Sequence, residues 1–392
     1  MDFSFTEEQQ AVAEAAAAVF AGMASPARVA EAERGEDRVD DALWAALADA
    51  NLLGIAVSED YGGSGLGLTE LCLVLEQQGR HVAPVPIWAT TVLGALAVER
   101  FGSHVARAAL LPGVVQGAAR LSAALTEVGS SAQRRPAVVA EPLGAGGWCL
   151  RGSAAAVPQA HLAARVVVPA RHGDDTVVVL VDPAHPGATL QRAETTDRQL
   201  HPHMVLDGVE VGPDDVLAAG DSGGAVVEWM LERARTGLCA LALGVAEEAV
   251  GRAAAHLNQR HQFGKPLSSF QGTLLRAADA YIDTEAIRVT TWQAAWRLDT
   301  GRPATMQVAA AKWWASEAGQ RVVHATQHLH GGLGADIEYP IHRYFLWGKQ
   351  IELMLDGPSA QLAALGAMVA AEHRVTPMPT AVTKGPRSGA AP

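Results

Sequence analysis

The sequence predicts an α+β chain in three parts. A helical domain covers residues 1–118, a small β-barrel or sheet domain covers 119–218, and a helix bundle covers 219–375. Three observations carry this. Long apolar-periodic stretches fill both ends of the chain. Short β-branched runs, VVVPA at 166–170, DTVVVLVD at 175–182 and MVLDGVEV at 204–211, are confined to the middle and bounded by Gly, Pro, His or Asp. The chain has 392 residues, 49% of them hydrophobic, which is ample for more than one packed core.

The elements follow in order. Thr6 is positioned to cap EEQQAVAEAAAAVFAGM, with Gln9 three residues on to complete a capping box. A second helix surrounds Asp40, Asp41 and Trp44. The loop SEDYGGSGLGLTE follows, and its glycines 62, 63, 65 and 67 allow backbone shapes other residues resist. TELCLVLEQQGR then reads as a helix with Thr69 as its cap. Beyond the β segment, one helix spans about 223–259. The break QFGKPLSSF separates it from a helix ending near Gly301, with Ser268 and Gln271 at capping-box spacing. MQVAAAKWWASEAGQRVVHATQHLH forms a third helix, stopped by Gly331 and Gly332. Pro358 suits the first turn of a last helix. From Thr376 the chain is rich in Pro, Gly and Ser, and residues 376–392 are expected to be a disordered tail.

Composition removes several function classes. A formal charge of -12 opposes binding to phosphate backbones or anionic membranes, so neither nucleic acid nor membrane is an expected partner. Cys72, Cys149 and Cys239 lie far apart in non-metal spacing and read as buried reduced thiols of a cytoplasmic protein, with no metal site. The start, MDFSFTEEQQ, lacks the basic region of a signal peptide. No apolar run reaches the ~20 residues of a membrane span.

Three segments carry chemistry. RHQFGKPLSSFQ (260–271) sets Arg260 at the end of one helix and Gln271 in the first turn of the next. A fixed guanidinium beside an open helix start suits a pyrophosphate; an ordinary inter-helix turn is the plainer reading. QHLHGGLG (327–334) ends a helix with consecutive glycines, as a simple C-cap or as a place where backbone amides approach a cofactor. LTEVGSS (125–131) puts Thr126 and other small residues at the entry to the β domain, as a turn or as a hydroxyl-lined bed for a flat ring or a thioester tail.

Together and in this order, these segments resemble the acyl-CoA dehydrogenase family. LLGIAVSEDYGGSGLGLTELCLVLEQQGR is similar to its N-terminal helix-loop-helix, with Ser58 where the family usually has Pro. ALTEVGSS is similar to ALTEPGAGSD, RHQFGKPLSSFQ to RxxFGxPLxxFQ, and QHLHGGLGADIEYPIHR to QxxGGxGYxxEYPxxR. The resemblance covers nearly the whole chain up to the tail. It implies a C-terminal four-helix bundle, a tetramer, FAD, a CoA-thioester substrate and α,β-dehydrogenation. It assigns cofactor contacts to Arg260, Phe263, Gln271, Gln327, Gly331, Gly332 and Thr126. That reaction needs hydrogen-bond donors around the thioester oxygen and a carboxylate within reach of the α-carbon. Desolvation would raise that carboxylate's pKa toward neutrality.

The carboxylate is the missing part. Aligning the family's Gly-Thr-Asn/Ser-Glu segment needs one inserted residue and puts the base position on Ala360. The alternative family position, on the long helix before Gly244, falls on Ala234. Glu232 lies two residues early, roughly a 200° rotation away from the flavin. Glu352 has Lys349 three residues before it and reads as a surface pair. Asp356, at a helix end, is a shorter substitute. The Trp-Ile-Thr region that faces the flavin ring in the family is replaced over 154–160 by small residues and a proline. In the family, the Arg/Phe and Gln-Gly-Gly segments reach the adenosine-diphosphate half of a FAD held by a neighbouring subunit. The expectation is therefore a subunit without catalytic Glu, paired with a paralogous acyl-CoA dehydrogenase. IHRYFLWGKQIEL resembles subunits of the α2β2 enzymes that act on steroid side chains. A self-sufficient homo-oligomer using Asp356 or Glu232, and a flavin oxygenase or structural subunit of the same fold, are the alternatives.

Overall fold

The computed structural model describes residues 4–127 and 135–372. The tail over 376–392 and the LTEVGSS residues from 128 onward lie outside the described residues. The N-terminal helices are α1 (Glu7–Met23), α2 (Pro26–Ala32), α3 (Asp41–Asp49) and α4 (Leu68–His81). A π-helical stretch, Trp88–Ala95, runs into α5 (Leu96–Phe101), and α6 (His104–Val115) follows. Thr6 and Gln9 form the expected capping box on α1, and the Asp40 carboxylate caps α3 through the Leu43 amide. Thr69 does not cap α4. Gly67 is the N-cap, and the cap is supplied from another helix. Asp299 accepts from the amides of Leu68 and Thr69, both at 2.8 Å, and from the Thr69 hydroxyl, while Glu70 accepts from the Gly67 amide. The α4 start is buried against the bundle, so a carboxylate from that bundle satisfies its open amides.

The middle strands are β1 (Leu121–Ala123), β2 (Val139–Pro142), β3 (Trp148–Ala154), β4 (Arg165–His172), β5 (Asp175–Val181), β6 (Ala188–Gln191), β7 (His203–Val211) and β8 (Val216–Ala218). They pair in the order β6-β7-β3-β2-β4-β5-β8, with β1 parallel to β4. The valine runs alternate between two cores. Val166, Val168, Val177, Val179 and Val181 fill a core inside the β domain, whereas Val167, Val178 and Leu180 point the other way, into the main helical core. Both faces of β4 and β5 are thus buried, which is why their sequences are apolar without alternation.

The C-terminal helices are α7 (Ser222–Gln259), α8 (Gln271–Asp299), α9 (Thr305–Leu329), α10 (Ile341–Leu353) and α11 (Pro358–Glu372). Strands β9 (His261–Gln262) and β10 (Lys265–Pro266) form a hairpin between α7 and α8. Ser268 makes no cap. A 3-10 turn over Leu267–Ser269 intervenes, so α8 starts at Gln271 itself instead of two residues earlier. Helices α4 and α7 cross in backbone contact. A methyl on Gly244 would lie 1.9 Å from the Glu76 carbonyl oxygen, and one on Gly79 would lie 2.2 Å from that of Leu241. The ends of the chain are tied together by Arg343, whose Nε donates to both Glu33 carboxylate oxygens at 3.0 Å in a buried pair.

One stretch of the described residues, Ile341–Ala371, has the length and hydropathy of a membrane span, contrary to the sequence reading. The backbone breaks it into α10 and α11. Leu355 and Asp356 are both left-handed, at φ 52° and 81°, and Ile341, Tyr344, Trp347 and Ile351 are buried in the bundle.

Candidate functional site

Three regions account for the residues singled out by sequence. The first lies between the β domain and the bundle. The Thr126 hydroxyl is spent locally, donating to the Ala156 carbonyl at 3.1 Å. Glu127 is spent likewise, accepting from the amides of Ala137 and Ala155, each at 3.3 Å. The segment that replaces Trp-Ile-Thr is irregular, with Ala156 and Gln159 left-handed at φ 46° and 49°. What remains is a cleft of about 120 Å3 lined by Trp88, Thr126, Ala156, His201 and Met354, beside a void of about 30 Å3 that Trp88 also lines. Cofactor-sized sites occupy roughly 300–1,000 Å3. Trp88 lies on the wall of both the cleft and the void. Its indole N–H donates to the Ala234 carbonyl at 3.0 Å, and its ring lies over Gly237, where a methyl would come within 2.9 Å of it. Burial pushes His201, on the same wall, below the ordinary imidazole value, so it is neutral.

The second region is a cleft of about 650 Å3 between α7, the start of α9 and α11. Ala360 and Asp356 both line it, with Leu231 and Arg235 opposite. The Asp356 carboxylate lies 3.9 Å from the Arg235 guanidinium. This cleft and the 120 Å3 cleft share no lining residue; the turn from Met354 to Asp356 stands between them. Ala234 is buried against Trp88. Glu232 accepts from the Thr305 hydroxyl at 2.7 Å and lines neither cleft, in keeping with its rotated position on α7. Glu352 is paired with Lys349.

The third region is the far end of the bundle. His256 and His330 stack with centroids 4.7 Å apart, which brings the last turn of α7 beside the end of α9. Arg260 follows one turn after His256, exposed, with its amide donating to the His256 carbonyl at 2.9 Å. Phe263 is 90% exposed at φ 54° and meets Phe270 edge-on. Gly331 (φ 59°) and Gly332 are open to solvent, and no atom lies where a side chain on either would go. Gln271 is exposed at the start of α8. Gln327 departs from expectation. It folds back on its own chain, its Nε2 donating to the Gly334 carbonyl at 2.8 Å, and its Oε1 is buried without a hydrogen-bond partner among the described residues. The outward side chain at this helix end is His328, which sequence reading passed over. Its signal was the buried rhythm Val322, Ala325, Leu329, which turns His324 and His328 to solvent.

The sequence matches the acyl-CoA dehydrogenase N-terminal domain over residues 6–118 and the C-terminal domain over residues 221–370. The chain belongs to the acyl-CoA dehydrogenase family. It is 35% identical to the acyl-CoA dehydrogenase FadE27 of Mycobacterium tuberculosis, over 94% of this chain and 99% of that one. Among solved structures, the Tcur3481-Tcur3483 steroid ACAD is similar at 45% identity and TM-score 0.87, covering 93% of this chain and 98% of that one. The ChsE4-ChsE5 complex of Mycobacterium tuberculosis is similar at 35% identity and TM-score 0.88, covering 94% and 99%. For this acyl-CoA dehydrogenase, the fit to FAD divides. The far end of the bundle offers an exposed guanidinium, two open glycines and an unpartnered buried carboxamide oxygen. The cleft beside Thr126, at about 120 Å3, lies below the roughly 300–1,000 Å3 of whole cofactor sites.

Proposed function

We propose that this chain is the subunit lacking the catalytic base in a hetero-oligomeric, FAD-dependent acyl-CoA dehydrogenase. The α,β-dehydrogenation of a CoA thioester would take place against a flavin held by a paralogous subunit. The observation that carries the reading is the contrast between the two cofactor regions: a cleft of about 120 Å3 at the ring end and an open, cationic end at Arg260. The absence of a carboxylate at Ala360 and Ala234 supports it. So does the similarity to ChsE4-ChsE5 and Tcur3481-Tcur3483, which also suggests a bulky, steroid-like acyl group.

Bound by the pair, FAD would supply the hydride acceptor for the β-hydrogen. This chain's part is binding. Arg260 supplies charge-assisted donors to the phosphates, and the Gly331 and Gly332 backbone permits close approach. Phe263 offers its exposed ring as an apolar wall, and Gln271 stands at the open start of α8. Outside this site, α8 exposes Leu274 and Tyr281, and Leu275, Ile282 and Val289, at seven-residue spacing. That ladder suits helix-to-helix docking of the partner in a tetramer.

Expression of the chain alone, and together with a genomically adjacent paralogue, tests the reading. Alone it should be colourless and inactive; with the paralogue it should copurify as a yellow, active complex. Yellow, active protein from the chain alone would instead support a self-sufficient enzyme. The observation favouring that second reading is Asp356, which faces a cleft large enough for a substrate.

A further inference from the structure

We infer that Lys312 is the positioning residue for the turn between α10 and α11, holding the wall that separates the two clefts by donating to its carbonyl oxygens. Lys312 lies in α9 and is completely buried. Its Nζ donates to the Ser316 hydroxyl at 2.6 Å and to the carbonyls of Ile351 at 3.1 Å, Glu352 at 3.3 Å and Asp356 at 3.1 Å. None of these acceptors is a carboxylate. A buried ammonium without a directly bonded counter-charge is costly, so packing alone does not explain it.

The acceptors do explain it. The last turn of a helix leaves its carbonyls unpaired, and at the end of α10, where Ile351 and Leu355 are buried and Leu353 is exposed, Lys312 pairs those of Ile351 and Glu352. A cation at the helix C-terminus also meets the negative end of the helix dipole. The chain then passes through two consecutive left-handed residues, Leu355 and Asp356, that carry side chains. Such a conformation persists only where its surroundings enforce it. Lys312 takes the carbonyls on either side, while the Leu355 carbonyl accepts from Arg235 Nε at 3.4 Å and from Gln361 Nε2 at 3.1 Å. Two basic side chains, one from α9 and one from α7, thus hold through their N–H donors the turn that places Met354 and Leu355 in one cleft and Asp356 and Ala360 in the other. The inference does not depend on which chain supplies the base.

The holding has a pH signature. Burial pulls Lys312 down from 10.5 to about 8. The groups facing it are Cys239 and Arg235 on α7, Glu352 at the end of α10 and Asp356 in the turn. Cys239, held protonated up to about 12 by its own burial, does not titrate in the relevant window. When the turn opens to water, Lys312 regains its ordinary basicity. Between pH 8 and 10.5 the open form therefore binds more protons than the closed form, and raising the pH favours closure by roughly five- to sevenfold per pH unit.

Hydrogen exchange of the intact chain, corrected for intrinsic rates, reads this out on residues 351–361. The wild-type opening constant should fall about fivefold from pH 8 to pH 9. In Lys312→Met the same segment should open at least about tenfold more at pH 7, with the pH dependence gone and the rest of α7–α9 unchanged. Unchanged exchange in the variant, or protection lost evenly over the bundle, would overturn the inference. If the variant does not fold, the wild-type titration decides: an opening constant flat between pH 8 and 9 overturns it.

Discussion

Asp356 is a carboxylate that lines a cleft and also faces a cation. Its charge is engaged by Arg235 at 3.9 Å, and the turn points it into the 650 Å3 cleft, away from Thr126 and Ala156. Asp356→Asn should therefore leave turnover of the paired enzyme within about threefold of wild type by steady-state assay. A loss of the 100- to 10,000-fold scale typical of a missing general base would assign catalysis to this residue. Arg260 is the opposite case, an exposed cation without a hydrogen-bonded carboxylate among the contacts described. Arg260→Ala should weaken flavin binding in the complex by about ten- to a hundredfold, the worth of a charge-assisted hydrogen bond, measured as FAD retained per chain on dilution. At this scale sequence reading reached as far as motif letters allow. Neighbouring glycines and prolines anchor the sequence positions of Ala360 and Arg260; the structure places Ala360 in the cleft with Asp356 and leaves Arg260 exposed. Gln327 was not legible, since one residue along a helix turns a side chain by about 100°. Lys312 was invisible, because a lysine in AAAKWWASE reads as solvated until the turn it holds is seen.

Elements were legible where their signals are local. The capping box at Thr6 and the helix start at Pro358 depend on residues within one turn, and they form as expected. The cap of α4 was not legible, because Asp299 reaches it across some 230 positions of chain. Asp299→Ala should lower stability by about 0.5–2 kcal/mol, the usual worth of a helix N-cap, seen as a drop in Tm. A smaller effect for Thr69→Val would confirm that Thr69 is the guest in this arrangement and Asp299 the cap. The α4–α7 crossing was half legible. Gly244 was noticed as a landmark, but only the structure reveals that it lies against the Glu76 carbonyl. Gly244→Ala must push the helices apart, and the expected loss is at the upper end of the roughly 1–3 kcal/mol that overpacking costs, or failure to accumulate as folded protein. A variant as stable as wild type would mean the crossing yields without cost.

For the whole molecule, the order of helix domain, β domain and bundle was readable because each part carries its own periodicity. How the parts share surfaces was not. The β4 and β5 valines serve two cores at once, and Arg343 closes the chain onto Glu33, a contact no local pattern announces. The functional account also belongs to this scale, since it places one end of a cofactor on this chain and the other on a partner. The α8 ladder, the open Arg260 end and the small cleft beside Thr126 are separate features that the proposed assembly would bring together. The direct measurement is the ratio of FAD to polypeptide in the purified complex, from flavin absorbance and quantitative amino-acid analysis. The account predicts one FAD per two chains. One FAD per chain would mean that this chain accommodates a flavin ring of its own, and would contradict it.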